Sequence, residues 1–352
     1  MRKPVLIVVT PGFPKDEQDT SCLPAFQQFA LSIKDTFPQY RLMIVSFQYP
    51  FTPKEYQWNG IDVIALGGKN RSKLFRLVLW IRAYRALQKI IKTHHVIGLV
   101  SLWITECALI ADKIAKKNRL KHMIWIIGQD AKISNKYVSR IKPKPQQLMA
   151  MSDFLKDEFF KNHNLMPLHV IENGIRESVF PVLNTQERPI TVFGAGSLIP
   201  LKNYRLFIEL IHEIKKSIPA IKAQIAGGGE EQEVLQTLIT TLGLQENVIL
   251  LGPKSHSETL ALMNQSKVFL HTSSYEGNST VLMEALYSGC KVISTCPLSH
   301  TPTQNLIIET DPVKLKEQLL HALAENESTA NRVVFNTMDR SAQRIVNLLL
   351  QE

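Results

Sequence analysis

Short runs rich in Val, Ile and Leu alternate with helix-length segments along most of the chain. A strand buried on both faces reads as an unbroken apolar run, while a crossover helix repeats its apolar positions every three to four residues. The pattern predicts strands at Val5–Val9, Leu42–Phe47, Val63–Leu66, Val96–Leu102, Met123–Ile127 and Leu148–Met151. Helices are expected near 24–36, 73–92, 105–117 and 152–163. The polar stretch "NGIRESVFPVLNTQERP" then breaks the rhythm with two prolines. Strands resume at Ile190–Gly194, Ala223–Ile225, Val248–Leu250, Val268–His271 and Val292–Ser294, with helices near 203–217, 230–242, 257–264, 279–288 and 312–325. The alternation predicts an α/β chain of two Rossmann-like doubly wound domains, 1–178 and 179–329, facing a cleft. A last helix falls within 330–352; its pattern gives it no fixed seat, and packing back on the first domain is the reading taken. In open parallel sheets ligands bind beyond the carboxyl ends of the strands, so function is sought in the loops that follow them.

Bulk composition narrows the classes. The 352 residues are 45% apolar and 20% charged, an ordinary globular balance. No apolar run approaches the roughly 18 residues of a membrane span. "MRKPVLIVVTPGFP" is too short in its apolar part for a signal peptide and meets Pro11-Gly12 without a small-residue cleavage site, so it reads as a first strand of a cytoplasmic protein. Cys22, Cys107, Cys290 and Cys296 show no C-x-x-C spacing and suit reduced, mostly buried thiols. His94-His95 has no third ligand at metal spacing, and neither H-E-x-x-H, G-x-S-x-G nor Asp-x-Asp occurs. The net charge of +10 is lopsided: residues 1–180 carry +13 and residues 181–352 carry −3. Much of the excess lies in "KNRSKLFRLVLWIRAYRALQKIIK", residues 69–92, with eight Lys/Arg, no acid, and Phe75, Trp80 and Tyr84 among leucines. That composition fits membrane-surface contact by a basic amphipathic helix, or else an ordinary surface helix with a basic face. No nucleic-acid module is recognisable, and nucleic acid is not expected as a partner.

The candidate chemistry gathers after the strands of the second half. "SSYEGNSTVLMEALYSGCKVIS", residues 273–294, holds Glu276 and Glu284 separated by seven residues in an otherwise apolar β–α–β passage. Gly277, Asn278, Ser279 and Thr280 open a helix, and a helix start with small polar residues attracts a phosphate. A carboxylate among Leu282, Met283, Ala285 and Leu286 is costly unless hydrogen-bonded. Sugar and ribose hydroxyls would satisfy both acids; equally, Glu276 caps the helix and Glu284 joins a buried ion pair. In "VFGAGSLIPLKNYRLFIEL" a glycine-rich strand end precedes Lys202, which suits a diphosphate, although it is no Walker loop. Gly227-Gly228-Gly229 is followed by Glu230, Glu231 and Glu233, acids that would repel a phosphate, so it reads as a tight strand-to-helix turn. Gly12, after the first strand, would offer backbone N–H groups across the cleft.

Together these residues resemble the retaining glycosyltransferases of family 4, with the two-domain GT-B fold. The E-x7-E motif is met at Glu276 and Glu284, the G-[RS]-L-x-x-x-K pattern in "GSLIPLKN", the strand–triglycine turn in "IAGGGEE", the N-G-[VI] linker in "VIENGI" and the S-x-x-L helix start in "MSDFLKDEF". The resemblance is strong over about 170–295 and loose before it. It implies transfer of a hexosyl group from a nucleotide-diphosphate sugar to a hydroxyl of a glycan or lipid-linked acceptor, in cell-surface polysaccharide or glycolipid synthesis. By resemblance Glu276 and Lys202 are catalytic: Glu276 holds the donor sugar and Lys202 offsets charge on the leaving diphosphate. The donor is further bound by Gly12, Ser197, Gly252, Pro253, Lys254, Gly277, Asn278, Ser279, Thr280 and Glu284, with Glu284 on the ribose and 252–254 on the base. The acceptor falls to the N-terminal domain, where Asp130 is a sugar or acceptor contact. No metal or other cofactor is implied, and the location is cytoplasmic, or peripheral on the inner face of a membrane.

Three departures stand out. Ser197 replaces a common Arg, Ile127 stands where a His precedes Gly128, and the stretch after Cys296 is shorter than the family's G-G-x-x-E loop. The first two motivate an alternative reading, a non-catalytic nucleotide-sugar-binding protein. A UDP-sugar epimerase of the same fold is a further alternative, against which the E-x7-E motif speaks.

Overall fold

The computed structural model describes residues 3–71, 73–183, 188–298, 303–325 and 331–351. The remainder includes residues 184–187 of the interdomain break and 299–302 of the shortened loop. The chain divides into two compact units, Met1–Arg176 with Asn336–Glu352, and Glu177–Phe335.

The first unit runs β1 (Val5–Gly12), α1 (Pro24–Thr36), β2 (Arg41–Tyr49), β3 (Lys54–Trp58), β4 (Ile61–Ala65), α2 (Lys73–Thr93), β5 (Val96–Leu102), α3 (Glu106–Asn118), β6 (His122–Ile126), α4 (Lys136–Ile141), β7 (Leu148–Ala150), α5 (Asp153–His163) and β8 (His169–Val170). The second runs β9 (Ile190–Ala195), α6 (Tyr204–Lys215), β10 (Ala223–Ala226), α7 (Gln232–Thr241), β11 (Val248–Leu250), α8 (His256–Asn264), β12 (Ser266–His271), α9 (Thr280–Tyr287), β13 (Lys291–Ser294), β14 (Leu306–Ile308) and α10 (Pro312–Ala324). The last helix, α11 (Met338–Leu350), belongs to the first unit.

The sheet orders are β3-β4-β2-β1-β5-β6-β7-β8 and β11-β10-β9-β12-β13-β14. Every pairing is parallel except β3 with β4. The expected α/β class with parallel sheets is therefore what forms. Strand β3 escaped the apolar pattern because its residues are largely exposed at the sheet edge. Its turn, Asn59-Gly60, has φ of 47° and 76°, the pair of positive angles a two-residue hairpin needs.

Both cores form as the periodicity demands. In the first, Val5, Ile7, Val9, Val45 and Phe47 meet Leu79, Ala83 and Leu87 of α2 and Cys107, Ala111 and Ile114 of α3. In the second, Val192, Ile225 and Leu270 meet Phe207, Ile211 and Ile214 of α6. The four cysteines are unbridged, three of them buried. Helix α11 buries Ala342, Ile345, Val346 and Leu349 and packs on α1. Its entry is fixed by a parallel bridge between Ile175 and Thr337 and by Asn336 donating to the Asn173 carbonyl at 3.0 Å.

In the second unit the loops after β9, β10 and β11 lock together by backbone alone. Gly196 N–H donates to the Ala226 carbonyl, Leu198 to Gly228, Glu231 to Leu198 and Gly227 to Gly252, each at 3.0 Å. A Cβ on Gly227 would lie 1.8 Å from the Gly196 carbonyl oxygen, and one on Gly229 would lie 2.3 Å from that of Leu198. The triglycine is thus a packing requirement, with its acids leading into α7.

Replacing Gly227 with Ala should cost roughly 3 kcal/mol, since no side chain can swing aside to relieve the clash. Gly252 has φ of 70° and open space around its Cβ, so Gly252→Ala should cost only about 1 kcal/mol of strain. Urea unfolding of the two variants checks the order; equal losses would refute the interlocking of the loops.

Candidate functional site

Strands β9 and β12 are neighbours at the centre of the second sheet, where the strand order reverses. In open parallel sheets such a reversal is where ligands bind, beyond the carboxyl ends of the strands. Lys202 ends a short turn after β9, and Glu276 lies five residues beyond the end of β12. The register that pairs β9 with β12 brings them together: Lys202 Nζ lies 2.5 Å from Glu276 Oε1. The Lys202 carbonyl also accepts from Thr272 Oγ1 at 3.0 Å, and Ser274 N–H donates to the Leu201 carbonyl at 2.9 Å, so the two loops are stitched along their length.

A histidine that the sequence reading did not single out lies beneath this pair. His271, the last residue of β12, is buried, with Nε2 at 3.2 Å from Glu276 Oε1 and 3.0 Å from Ser273 Oγ. Its Nδ1 lies 2.9 Å from Ser294 Oγ. Ser294 Oγ in turn donates to the Cys296 carbonyl at 2.7 Å. Burial works to raise the Glu276 pKa, but the His271 hydrogen bond and the Lys202 charge outweigh it and bring it down to about 2. Glu276 is consequently an ionised acceptor at neutral pH.

Helix α9 begins at Thr280 with Ser279 at its cap position, yet the Ser279 hydroxyl makes no capping bond. Asn278, Ser279 and Glu284 are buried, Glu284 one turn into the helix among Leu282, Met283 and Ala285. Glu284 Oε1 meets His256 Nε2 at 2.7 Å, a second histidine missed in the sequence. His256 is the first residue of α8, positioned by the capping box of Ser255 and Glu258. Burial lowers its pKa, and the Glu284 hydrogen bond and charge more than reverse that, so the net shift is upward. No spacing rule flags His256 or His271, because each acts across the fold on an acid from another loop.

The remaining expected donor residues of the second unit lie on loops joined to these by backbone contacts. Ser197 lies in the Gly196–Leu198 segment that packs on the triglycine, and Gly252-Pro253-Lys254 passes its other side, where a Cβ on Gly228 would lie 2.9 Å from Pro253 Cγ. Gly277 and Thr280 bracket the α9 start.

Gly12 and Asp130 belong to the first unit. Gly12 pairs with Tyr49 at the end of β1, and a Cβ there would make only ordinary contacts, the nearest at 3.7 Å. Asp130 is buried and faces inward. Its Oδ2 accepts from Ile104 N–H at 2.9 Å and its Oδ1 from Gly128 N–H at 2.7 Å and Ile127 N–H at 3.1 Å. Burial raises its pKa against these bonds. Asp130 thus braces the loops after β5 and β6, beside Trp103, whose φ of 62° is unusual for an aromatic residue. Among the described residues no group of three or more His, Cys, Asp or Glu could hold a metal ion, and no helix is long and apolar enough to cross a membrane.

Residues 175–332 match the family described as Glycosyl transferases group 1, a span that takes in Lys202, Glu276, Glu284 and the other expected donor residues of the second unit, with Gly12 and Asp130 outside it. The poly(glycerol-phosphate) alpha-glucosyltransferase of Bacillus subtilis is 26% identical over 216 residues, 56% of this chain and 31% of that protein. The phosphatidylinositol N-acetylglucosaminyltransferase gpi3 subunit of Schizosaccharomyces pombe is 32% identical over 139 residues, 36% of this chain and 30% of that one. The matches therefore span about a third of the length of these curated relatives. Among solved structures, Anabaena Alr3699/HepE in complex with UDP and glucose aligns with a TM-score of 0.68 over 99% of this chain and 98% of that one, at 16% identity. The fold is accordingly that of the GT-B glycosyltransferases.

The His256 shift carries a pH signature. A group whose pKa is higher folded than unfolded stabilises fully below its unfolded value, about 6.5, and loses that contribution as pH rises through the folded value. The stability gap between the protein and His256→Gln should therefore be widest below about pH 6.5 and shrink above it. Thermal unfolding across that range checks the sign; a gap that widened with pH would contradict the His256–Glu284 bond.

Proposed function

We propose that the chain is a retaining glycosyltransferase that moves a hexosyl group from a nucleotide-diphosphate donor to a hydroxyl of a glycan or lipid-linked acceptor, in cell-surface polysaccharide or glycolipid synthesis. The observation that carries the reading is the meeting of Lys202 and Glu276 at the sheet reversal, beside the α9 start and one turn from Glu284. The family match over this unit supports it, as do the glycosyl transfers named for its relatives.

In this reading the diphosphate sits at the α9 start, against the backbone of Gly277, Asn278, Ser279 and Thr280. The helix N-terminus and Lys202 supply fixed positive charge where negative charge develops, a preorganised form of stabilisation. Neutralisation falls to these groups rather than to a metal. Lys202 has three N–H donors; Glu276 takes one and sets the direction of the others. Glu276, ionised and held by His271, accepts from the donor sugar's hydroxyls. Glu284 keeps Oε1 on His256 and turns Oε2 to the ribose diol. Gly252, Pro253 and Lys254 border the base, and Ser197 the diphosphate. In the first unit Gly12 offers backbone, and Asp130 holds the loop at Ile127-Gly128 in place for the sugar or acceptor. The acceptor oxygen bonds to the anomeric carbon as the bond to the diphosphate oxygen breaks on the same face. The acceptor proton leaves with the nucleoside diphosphate, so no protein carboxyl need trade protons. A pKa near 2 suits Glu276 to that non-acidic role.

A screen of nucleotide sugars by titration calorimetry and donor hydrolysis tests the proposal; no binding by folded protein to any of them would overturn it. Binding without turnover, even with crude acceptor extracts, would instead mark a non-catalytic binder. Interconversion of a UDP-sugar without acceptor would mark an epimerase. Glu284→Ala should weaken donor binding by roughly tenfold or more, the loss of a charge-assisted bond. Glu276→Gln should lower kcat by about ten- to a hundredfold, and His271→Gln should lower it in the same direction with donor affinity less affected. Unchanged kinetics in either variant would remove that residue from the mechanism.

A further inference from the structure

We infer that the solvent face of α2 docks on the surface of an anionic lipid bilayer. The helix has two incompatible faces for a protein surrounded only by water. Its inner face buries Leu79, Ala83, Leu87 and Ile90 against the first unit's core. At 100° per residue, Leu77, Val78 and Ile81 lie on the opposite side. They are 54%, 48% and 52% exposed, and Phe75 beside them is 56% exposed. Four large apolar side chains within seven positions of a solvent-facing turn are not scattered surface residues; they form a patch.

The charge around the patch selects the partner. α2 contains no acidic residue, and Arg76, Arg82, Arg85, Lys89 and Lys92 follow along its exposed sides. Arg71 lies over the Phe75 ring at 5.1 Å. Arg76 and Lys89 approach Glu106 and Glu55 at 3.7 and 3.9 Å, while Arg82, Arg85 and Lys92 have no carboxylate partner among the described residues. An apolar tip followed by long basic side chains matches the depth profile of a membrane interface. The tip enters the acyl boundary, and the arginines reach up to phosphate oxygens. A protein partner would have to supply acids at both flanks of a narrow apolar stripe, whereas an anionic leaflet offers them at every position.

The placement gives the docking a consequence. The first turns of α2 lie by the carboxyl edge of the first sheet: Trp80 Nε1 donates to Glu106 Oε2 at 2.8 Å, and Glu106 opens α3 just after β5. A bilayer on this face would bring headgroups to the edge where such sheets bind ligands. The docking itself requires no glycosyl transfer, so it and the proposed activity stand or fall separately.

The test is co-sedimentation of the full chain with phosphatidylcholine vesicles, with and without phosphatidylglycerol, at rising salt. Binding should favour the anionic vesicles by about tenfold or more and weaken with salt. Leu77→Ser with Ile81→Ser should lower binding to anionic vesicles by about tenfold or more even at low salt. Arg82→Glu with Arg85→Glu should abolish the preference for phosphatidylglycerol. All four positions are exposed, so the variants should keep the thermal midpoint, which circular dichroism checks. The inference is overturned by chain that stays in solution with anionic vesicles, or by variants that bind as the parent does. It is also overturned by a dimer in light scattering that disappears in the Leu77→Ser, Ile81→Ser variant, since a second copy would then cover the face.

Discussion

No side chain fits between the backbones of Gly196 and Gly227. That contact lets the loops after β9, β10 and β11 lie flat against one another and exchange backbone hydrogen bonds. From it follows the height at which the β9 loop leaves the sheet, hence where Lys202 comes to rest, hence its meeting with Glu276. A bulkier residue would push the loops apart and separate charges that belong to strands far apart in sequence.

Two glutamates share the site, and the fold treats them differently. Glu276 is bracketed by a lysine and a histidine and is held strongly ionised. Glu284 has one partner, His256, on one oxygen. The first arrangement suits a carboxylate that must remain an acceptor while charge moves nearby. The second suits one that must be aimed. Neither acid is left to face apolar surroundings alone, which in a buried helix would be prohibitive. The sequence left two meanings open for Glu284, hydroxyl recognition or a buried ion pair. The structure shows the pair with His256, made through one of its two oxygens.

Much of the fold was legible because a parallel sheet buried on both faces writes itself as apolar runs. The edge was not: Lys54–Trp58 is mostly exposed, and its signature was the Asn59-Gly60 turn rather than hydrophobicity. In the site, residues carried by a motif, such as Lys202, Glu276 and Glu284, could be listed in advance. His256 and His271 could not, since each is one histidine on a strand end or helix start, and what it touches is decided by register between distant strands. Asp130 shows the converse. The resemblance implied a sugar or acceptor contact for it, and no spacing announced that its oxygens accept three backbone N–H groups.

The last helix has a further consequence, which concerns the order of synthesis. α11 belongs to the first unit, and the segment that leads into it bridges to Ile175, the residue just before the chain leaves that unit. A ribosome therefore delivers α1 with its packing partner still unmade, and completes the whole second unit before that partner appears. The second unit can close its own core as it emerges; the first must wait with one face of α1 uncovered until translation reaches Leu349. The nascent chain thus finishes its middle before its beginning.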